Sequence, residues 1–135
     1  MSETITTNRG EETEPIVLNL DWAALLPDFL ESAQEHLRCL GQCLSTLQEK
    51  PNDRETLEEA QRFAHNLRGA ALMIGFFHLG KLAASLEDFL YQVGENGQTL
   101  SAEYLQQFST TLSRMRQELE RSRQIPSAPD AGLPT

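Results

Sequence analysis

The chain has 135 residues, with 21 Leu and 12 Ala but only 4 Ile and 2 Val. That balance favours helix, excludes a β-sandwich, a barrel or a parallel sheet, and points to one all-helical domain with a single core. Twenty acidic against 11 basic residues leave a net charge of −9, which repels phosphate backbones and anionic membrane faces, so neither nucleic acid nor a membrane is an expected partner.

Residues 1–14 are polar and charged and are expected to be disordered. They have no basic start and no apolar stretch, so they do not read as a secretory signal. Residues 20–26 (LDWAALL) suit a short leading helix or turn, with Trp22 covering one end of the core. Pro27 stands just ahead of a first long helix over 28–49, where its missing N–H is harmless. Phe29, Ala33, Leu37, Leu40, Leu44 and Leu47 recur there at steps of three and four, one helical face. Cys39 and Cys43 lie on this helix. They form no disulfide framework and lack the partners of a zinc site, which fits a reducing cytoplasm.

Lys50-Pro51-Asn52-Asp53 breaks the pattern. Asn52, with Glu55 three residues on, reads as the cap of a second helix over 53–74. Its inward stripe is Leu57, Ala60, Ala64, Leu67, Ala71 and Ile74, and Gly75 is its stop. A third helix over 77–93 turns Leu79, Leu82, Leu86, Leu90 and Val93 inward. Ser101 caps a fourth over 101–123, with Leu105, Phe108, Leu112, Met115 and Leu119 inward. Similar lengths and short connections predict an antiparallel, up-down-up-down four-helix bundle spanning residues 15–125. The stretch 126–135 (PSAPDAGLPT) has linker composition, as expected of a domain belonging to a longer protein. No run of about 18 apolar residues offers a membrane span.

The second helix has an unusual face. With Ala64 and Leu67 toward the core, His65 points about 100° away from Ala64, toward the rim. Arg68 and Gly69 come three and four residues later and share its face. Leu72 lies two turns on, and Phe76 would continue the stripe if the helix did. A glycine in a helix interior costs about 1 kcal/mol relative to Ala. It asks for a reason, such as close approach of another helix or of a partner.

The run Ala64-His65-Asn66-Leu67-Arg68-Gly69-Ala70-Ala71, then Ile74-Gly75-Phe76, Leu79 and Leu86-Glu87, resembles the histidine-containing phosphotransfer (HPt) domain family. It is most like the phosphotransfer domain of chemotaxis-type histidine kinases. The resemblance covers about residues 28–123 and implies a module that carries a phosphoryl group on Nε2 of His65. Glu87, 22 residues later, would accept a hydrogen bond from Nδ1–H. That would fix the tautomer with a free Nε2 lone pair, the orienting logic of a catalytic triad. Arg68 would neutralise phosphoryl oxygens. Gly69 would leave room for a partner's active site, and Leu72, Met73 and Phe76 would offer it an apolar surface. The positive charge of Arg62 and Arg68 would matter for meeting an acidic pocket. Two positions depart from the family. Arg68 stands for the usual lysine, and Ala84 for a second histidine that many chemotaxis kinases carry three residues before the glutamate.

The implied function is phosphorelay. The partners would be an aspartate-bearing receiver domain, a kinase catalytic domain, or both, and the module is expected to be monomeric. No nucleotide-binding motif is present, so the chain is not expected to act as an enzyme on ATP or to need a cofactor of its own. The alternative is a non-catalytic adaptor bundle that binds a receiver. A carboxylate di-iron enzyme would need Glu-x-x-His on two helices. Residues Ala33, Arg62 and Gly75 stand three before His36, His65 and His78 instead, so no metal site is expected. His36 and His78 read as structural or solvated.

Overall fold

The computed structural model describes residues 22–97 and 99–124. Its elements are α1 (Trp22–Glu49), α2 (Arg54–Ile74), α3 (Phe77–Glu95) and α4 (Ala102–Arg123), with no strand among the described residues. Helix α1 packs on α2 and α4, and α3 packs on the same two. The connections at 50–53, 75–76 and 96–101 are too short to run back along a helix, so successive helices are antiparallel. This is the all-α four-helix bundle expected from the composition. No described helix is long and apolar enough to cross a membrane.

The leading segment differs from expectation. From Trp22 onward it is the first part of α1 rather than a separate turn, and Pro27 lies inside the helix. Proline there removes the bond that an N–H at 27 would give the Ala23 carbonyl and crowds that carbonyl, a cost taken in the second turn of the helix. The cover expected from the Trp22 side chain, and the tails at 1–14 and 126–135, fall outside the described residues.

Asp53, not Asn52, caps α2. Its carboxylate accepts from the Thr56 N–H at 3.2 Å and from the Thr56 hydroxyl at 2.9 Å. A carboxylate at the positive end of the helix dipole serves as well as the amide next door, and adds charge. The hydrogen bonds from Thr56 hold the Asp53 carboxyl below its usual range. Ser101 caps α4 as expected, accepting from the Tyr104 N–H at 3.1 Å.

Between α2 and α3 the chain turns through Gly75, whose φ of 94° lies in the left-handed region. The Gly75 N–H bonds the Leu72 carbonyl at 3.3 Å and the Phe76 N–H bonds the Ala71 carbonyl at 2.8 Å. This pair of bonds is a Schellman motif, which turns the residue after the glycine back onto the helix. Phe76 is therefore buried, only 1% exposed, and meets Phe29 of α1 edge to face at 5.1 Å.

The expected inward stripes are the core. Phe29 through Leu47 on α1, Leu57 through Ala71 on α2, Leu79 through Val93 on α3 and Phe108 through Leu119 on α4 supply its buried side chains, with Ile74, Leu82 and Leu105 half-buried around it. Two polar contacts clamp α2 to α3. Arg54 donates to the Gly94 carbonyl at 2.7 Å and Gln61 to the Leu90 carbonyl at 3.0 Å. Gly94 makes this possible, since a Cβ there would stand 3.1 Å from both the Arg54 Nη1 and the Gln61 Nε2. The clamp fixes the register of the two helices that carry the site.

Candidate functional site

His65 occupies the middle of α2, and Glu87 the middle of α3 across from it. Each comes directly after a fully buried residue, Ala64 before His65 and Leu86 before Glu87. One residue further along a helix is a turn of about 100°, so each polar side chain emerges at the edge of the α2–α3 seam. There Nδ1 of His65 stands 2.8 Å from Oε2 of Glu87. Arg68 donates from Nη1 to the other carboxylate oxygen, Oε1, at 2.9 Å. The carboxylate thus bridges imidazole and guanidinium, with one oxygen for each.

Exposure is graded across the three. The His65 side chain is 65% exposed, that of Arg68 41% and that of Glu87 21%. Burial pushes the Glu87 carboxyl up, but the hydrogen bonds from Arg68 and His65, and their charges, outweigh it and hold it below the usual value. At neutral pH the group is therefore ionised. An ionised carboxylate can only accept, so Nδ1 must carry the shared proton. In the neutral ring this leaves Nε2 as the bare lone pair, on an imidazole that water and a partner can reach.

Gly69 lies one turn beyond His65 on the same face. A Cβ built there would have nothing within 4 Å. No other described helix comes near, so of the two reasons that a mid-helix glycine invites, close packing by a neighbouring helix is not seen among the described residues. Leu72 and Met73 continue toward the end of α2, at 39% and 88% exposed. Leu72 rests partly on Gly80 of α3, where a Cβ would come within 2.5 Å of its Cδ2. Arg62 is exposed one turn before His65.

The structure thus brings His65, Arg68 and Glu87 together, with Gly69, Arg62 and Leu72 around them. Phe76 does not belong to that surface. The helix ends at Ile74, so the stripe on which it was expected stops, and the Schellman turn directs the ring inward. Phe77, 42% exposed, is the aromatic left at the surface there. The sequence signal that separates the two is Gly75 itself, because the apolar residue after a C-terminal glycine usually folds back onto its helix.

Arg68, expected at the phosphoryl oxygens, has its guanidinium bonded to Glu87 as well, a contact the spacing did not foretell. Ala84, where many members of the resembled family have a histidine, is half-buried one turn before Glu87. Of the other histidines, His36 is occupied locally: its Nδ1–H donates to the Ser32 carbonyl at 2.7 Å and its ring meets Phe63 edge to face at 6.0 Å. His78 is exposed in the first turn of α3. Cys39 and Cys43 are not bridged, and burial pushes the Cys43 thiol up to about 11.

Comparison with known proteins places the chain in a family. The family model of the Hpt domain matches residues 24–125. A stretch of 72 residues is 32% identical to the chemotaxis protein CheA of Listeria monocytogenes, covering 53% of this chain and 12% of that protein. CheA of Bacillus subtilis is 26% identical over 86 residues, 64% of this chain and 13% of that protein. CheA of Treponema pallidum is 25% identical over 96 residues, 71% of this chain and 12% of that protein. The chain therefore corresponds to a small part of these relatives.

Proposed function

This chain belongs to the Hpt domain family of histidine phosphotransfer modules, and we propose that His65 is its phosphoacceptor, exchanging a phosphoryl group with a receiver aspartate or taking it from a kinase catalytic domain. The observation that carries this reading is the single carboxylate that holds His65 Nδ1 at 2.8 Å while the ring stays 65% exposed.

In the transfer, the Nε2 lone pair attacks phosphorus in line as the bond from phosphorus to the donor oxygen breaks. The donor carboxylate or nucleotide departs with that electron pair. The ring becomes cationic at the moment of bond formation, and Glu87, facing Nδ1–H, stabilises that charge as the buried carboxylate of a triad does. The proton stays on Nδ1, and the reverse step needs no rearrangement. Arg68 has two roles in this scheme. Before transfer it holds Glu87 in place and ionised. After transfer, its remaining guanidinium donors are one helical turn from the phosphoryl oxygens and can bond them. Gly69 keeps the approach to Nε2 open, and Arg62, Leu72, Met73 and Phe77 give the partner charge and apolar surface. The module works in this reading within a reducing cytoplasm, which the free thiols of Cys39 and Cys43 support.

Incubation with a phosphorylated receiver, or with a kinase core and ATP, tests this. Acid-labile, alkali-stable label is expected on the wild-type chain and is expected to be lost in His65→Gln. Equal labelling of that variant would move the site elsewhere, and tight receiver binding without any label would leave the adaptor reading in its place.

A further inference from the structure

A groove of about 310 Å³ runs between α1 and α4. Helices α1 and α3 both pack on α2 and on α4, so this seam lies across the bundle from the α2–α3 seam that carries His65. The groove has no part in the site above. Its walls hold three arginines, Arg38 on α1 and Arg116 and Arg123 on α4, with Leu37 and Leu119 at its base. Arg38 pairs with Glu35 along α1. Arg123 donates to Gln34 Oε1 at 2.7 Å and lies 3.7 Å from Glu120. Arg116 makes no ion pair among the described residues, in a chain with 20 acidic residues. Its guanidinium instead lies against α1, where a Cβ at Gly41 would stand 2.6 Å from Nη2. These contacts set a register. Arg123 is level with Gln34 and Arg116 with Gly41, so on both helices the two levels are seven residues apart, about 10 Å at 1.5 Å per residue. Glu120 stands between the two cations on α4 and repels a further anion from the middle of the groove.

We propose that this groove docks a helix of another protein, one that carries two carboxylates seven residues apart with an uncharged residue between them. The ground is charge complementarity at a fixed spacing. A helix running alongside α4 rises by the same 1.5 Å per residue. Its side chains seven apart share a face and meet Arg116 and Arg123 together. The uncharged residue three or four places on falls over Glu120 and Leu119, and Arg38 adds positive charge from the α1 wall. The groove has room for the inserted side chains but not for the roughly 10 Å width of a helix, which therefore lies along its rim. Nucleic acid does not suit the site, because a net charge of −9 repels a polyanion beyond the groove. A partner held here leaves the α2–α3 seam open. The module can then be tethered on one side while His65 is approached on the other, which raises the effective concentration of what approaches it.

The test titrates the full chain with a synthetic Ala-rich helical peptide of about 18 residues, bearing two Glu seven apart and a Leu between them. A control isomer of the same composition has its two Glu five apart, on different faces of the helix. Arginine Nε–H NMR signals report binding. Saturable shifts of Arg116 and Arg123 are expected with the first peptide, reversed by salt of about 0.5 M, where exposed ion pairs are screened. The isomer is expected to bind the wild type roughly threefold more weakly, the worth of one exposed ion pair, and Arg116→Gln to bind the first peptide more weakly by the same factor. Arg114→Gln, on the other side of α4, is expected to bind like the wild type. Absence of a saturable shift would overturn the proposal. So would equal binding of the isomer, a general attraction between charges, or groove signals that change with protein concentration alone, the mark of a second copy. Labelling of His65 is expected to be unchanged in Arg116→Gln, so this proposal and the phosphoacceptor assignment can fail separately.

Discussion

At the scale of single residues, the site depends on one carboxylate with two partners. Removing its charge while keeping its shape, as in Glu87→Gln, leaves an amide oxygen able to accept from Nδ1–H but no ion to oppose the cationic ring. Losing the charge assistance of such a hydrogen bond forfeits about 1.5 kcal/mol, so transfer is expected to slow by about tenfold. Single-turnover rates measure this. The same group predicts a pH dependence. The folded state holds Glu87 below its ordinary value because the bonds from Arg68 and His65 outweigh burial. A carboxyl with a lowered folded pKa contributes stability that is present above the unfolded value and lost as pH falls through the folded one. Wild type is therefore expected to exceed Glu87→Gln in thermal stability at pH 6, with the gap closing below about pH 4. A gap that stayed constant through this range would deny the ionised bridge. That His65 and Glu87 meet was legible in the sequence only through the family pattern. That Arg68 bonds Glu87 was not, because a one-turn spacing from His65 says nothing about which residue of the next helix the guanidinium reaches.

Helices are the level at which the sequence was most legible. Steps of three and four among Leu and Ala marked all four stripes, and the buried faces coincide with them. What periodicity could not give was the ends. Pro27 suited a helix start by its chemistry, yet the apolar and Ala-rich residues before it extend α1 back to Trp22. Asn52 and Asp53 are both good caps, and the choice fell on the one whose carboxylate reaches Thr56. Two glycines on or after α2 show how position decides a residue's effect. Gly69 has helical surroundings and empty space where a Cβ would go. Gly69→Ala is thus expected to raise stability by about 0.5–1 kcal/mol, read as a higher urea midpoint at unchanged slope. Gly69→Glu is expected to keep full helicity by circular dichroism but to slow transfer sharply, because a long anion would stand beside Nε2. Gly75, at φ 94°, is the opposite case. Gly75→Ala is expected to lower stability by about 1–2 kcal/mol, since a Cβ in the left-handed region is strained whatever the space around it.

On the scale of the whole molecule, the bundle separates residues that hold the fold from those left exposed and proposed to meet a partner. The end where α1 begins and α2 passes into α3 makes the division visible. Phe76 closes the core against Phe29, whereas Met73, three residues earlier, is 88% exposed. Phe76→Ala is expected to lose about 3–5 kcal/mol of stability, much of what a domain of this size has. Met73→Ser is expected to change stability by no more than about 0.5 kcal/mol while weakening receiver binding, which calorimetry on the two variants would separate. The sequence put both residues on one expected docking surface, Phe76 by extending the His65–Leu72 stripe past Gly75, which ignores the turn by which that glycine sends Phe76 back into the core. The proposed function comes down to one nitrogen at this scale: in that reading Glu87, by occupying Nδ1, leaves Nε2 of His65 to bond phosphorus. Nitrogen-15 labelled protein, phosphorylated by its partner, allows the nitrogen–phosphorus coupling to be measured directly. Coupling of phosphorus to Nε2 of His65 is expected, with the proton retained on Nδ1; coupling to Nδ1, or to either of the other two histidines, would contradict the assignment.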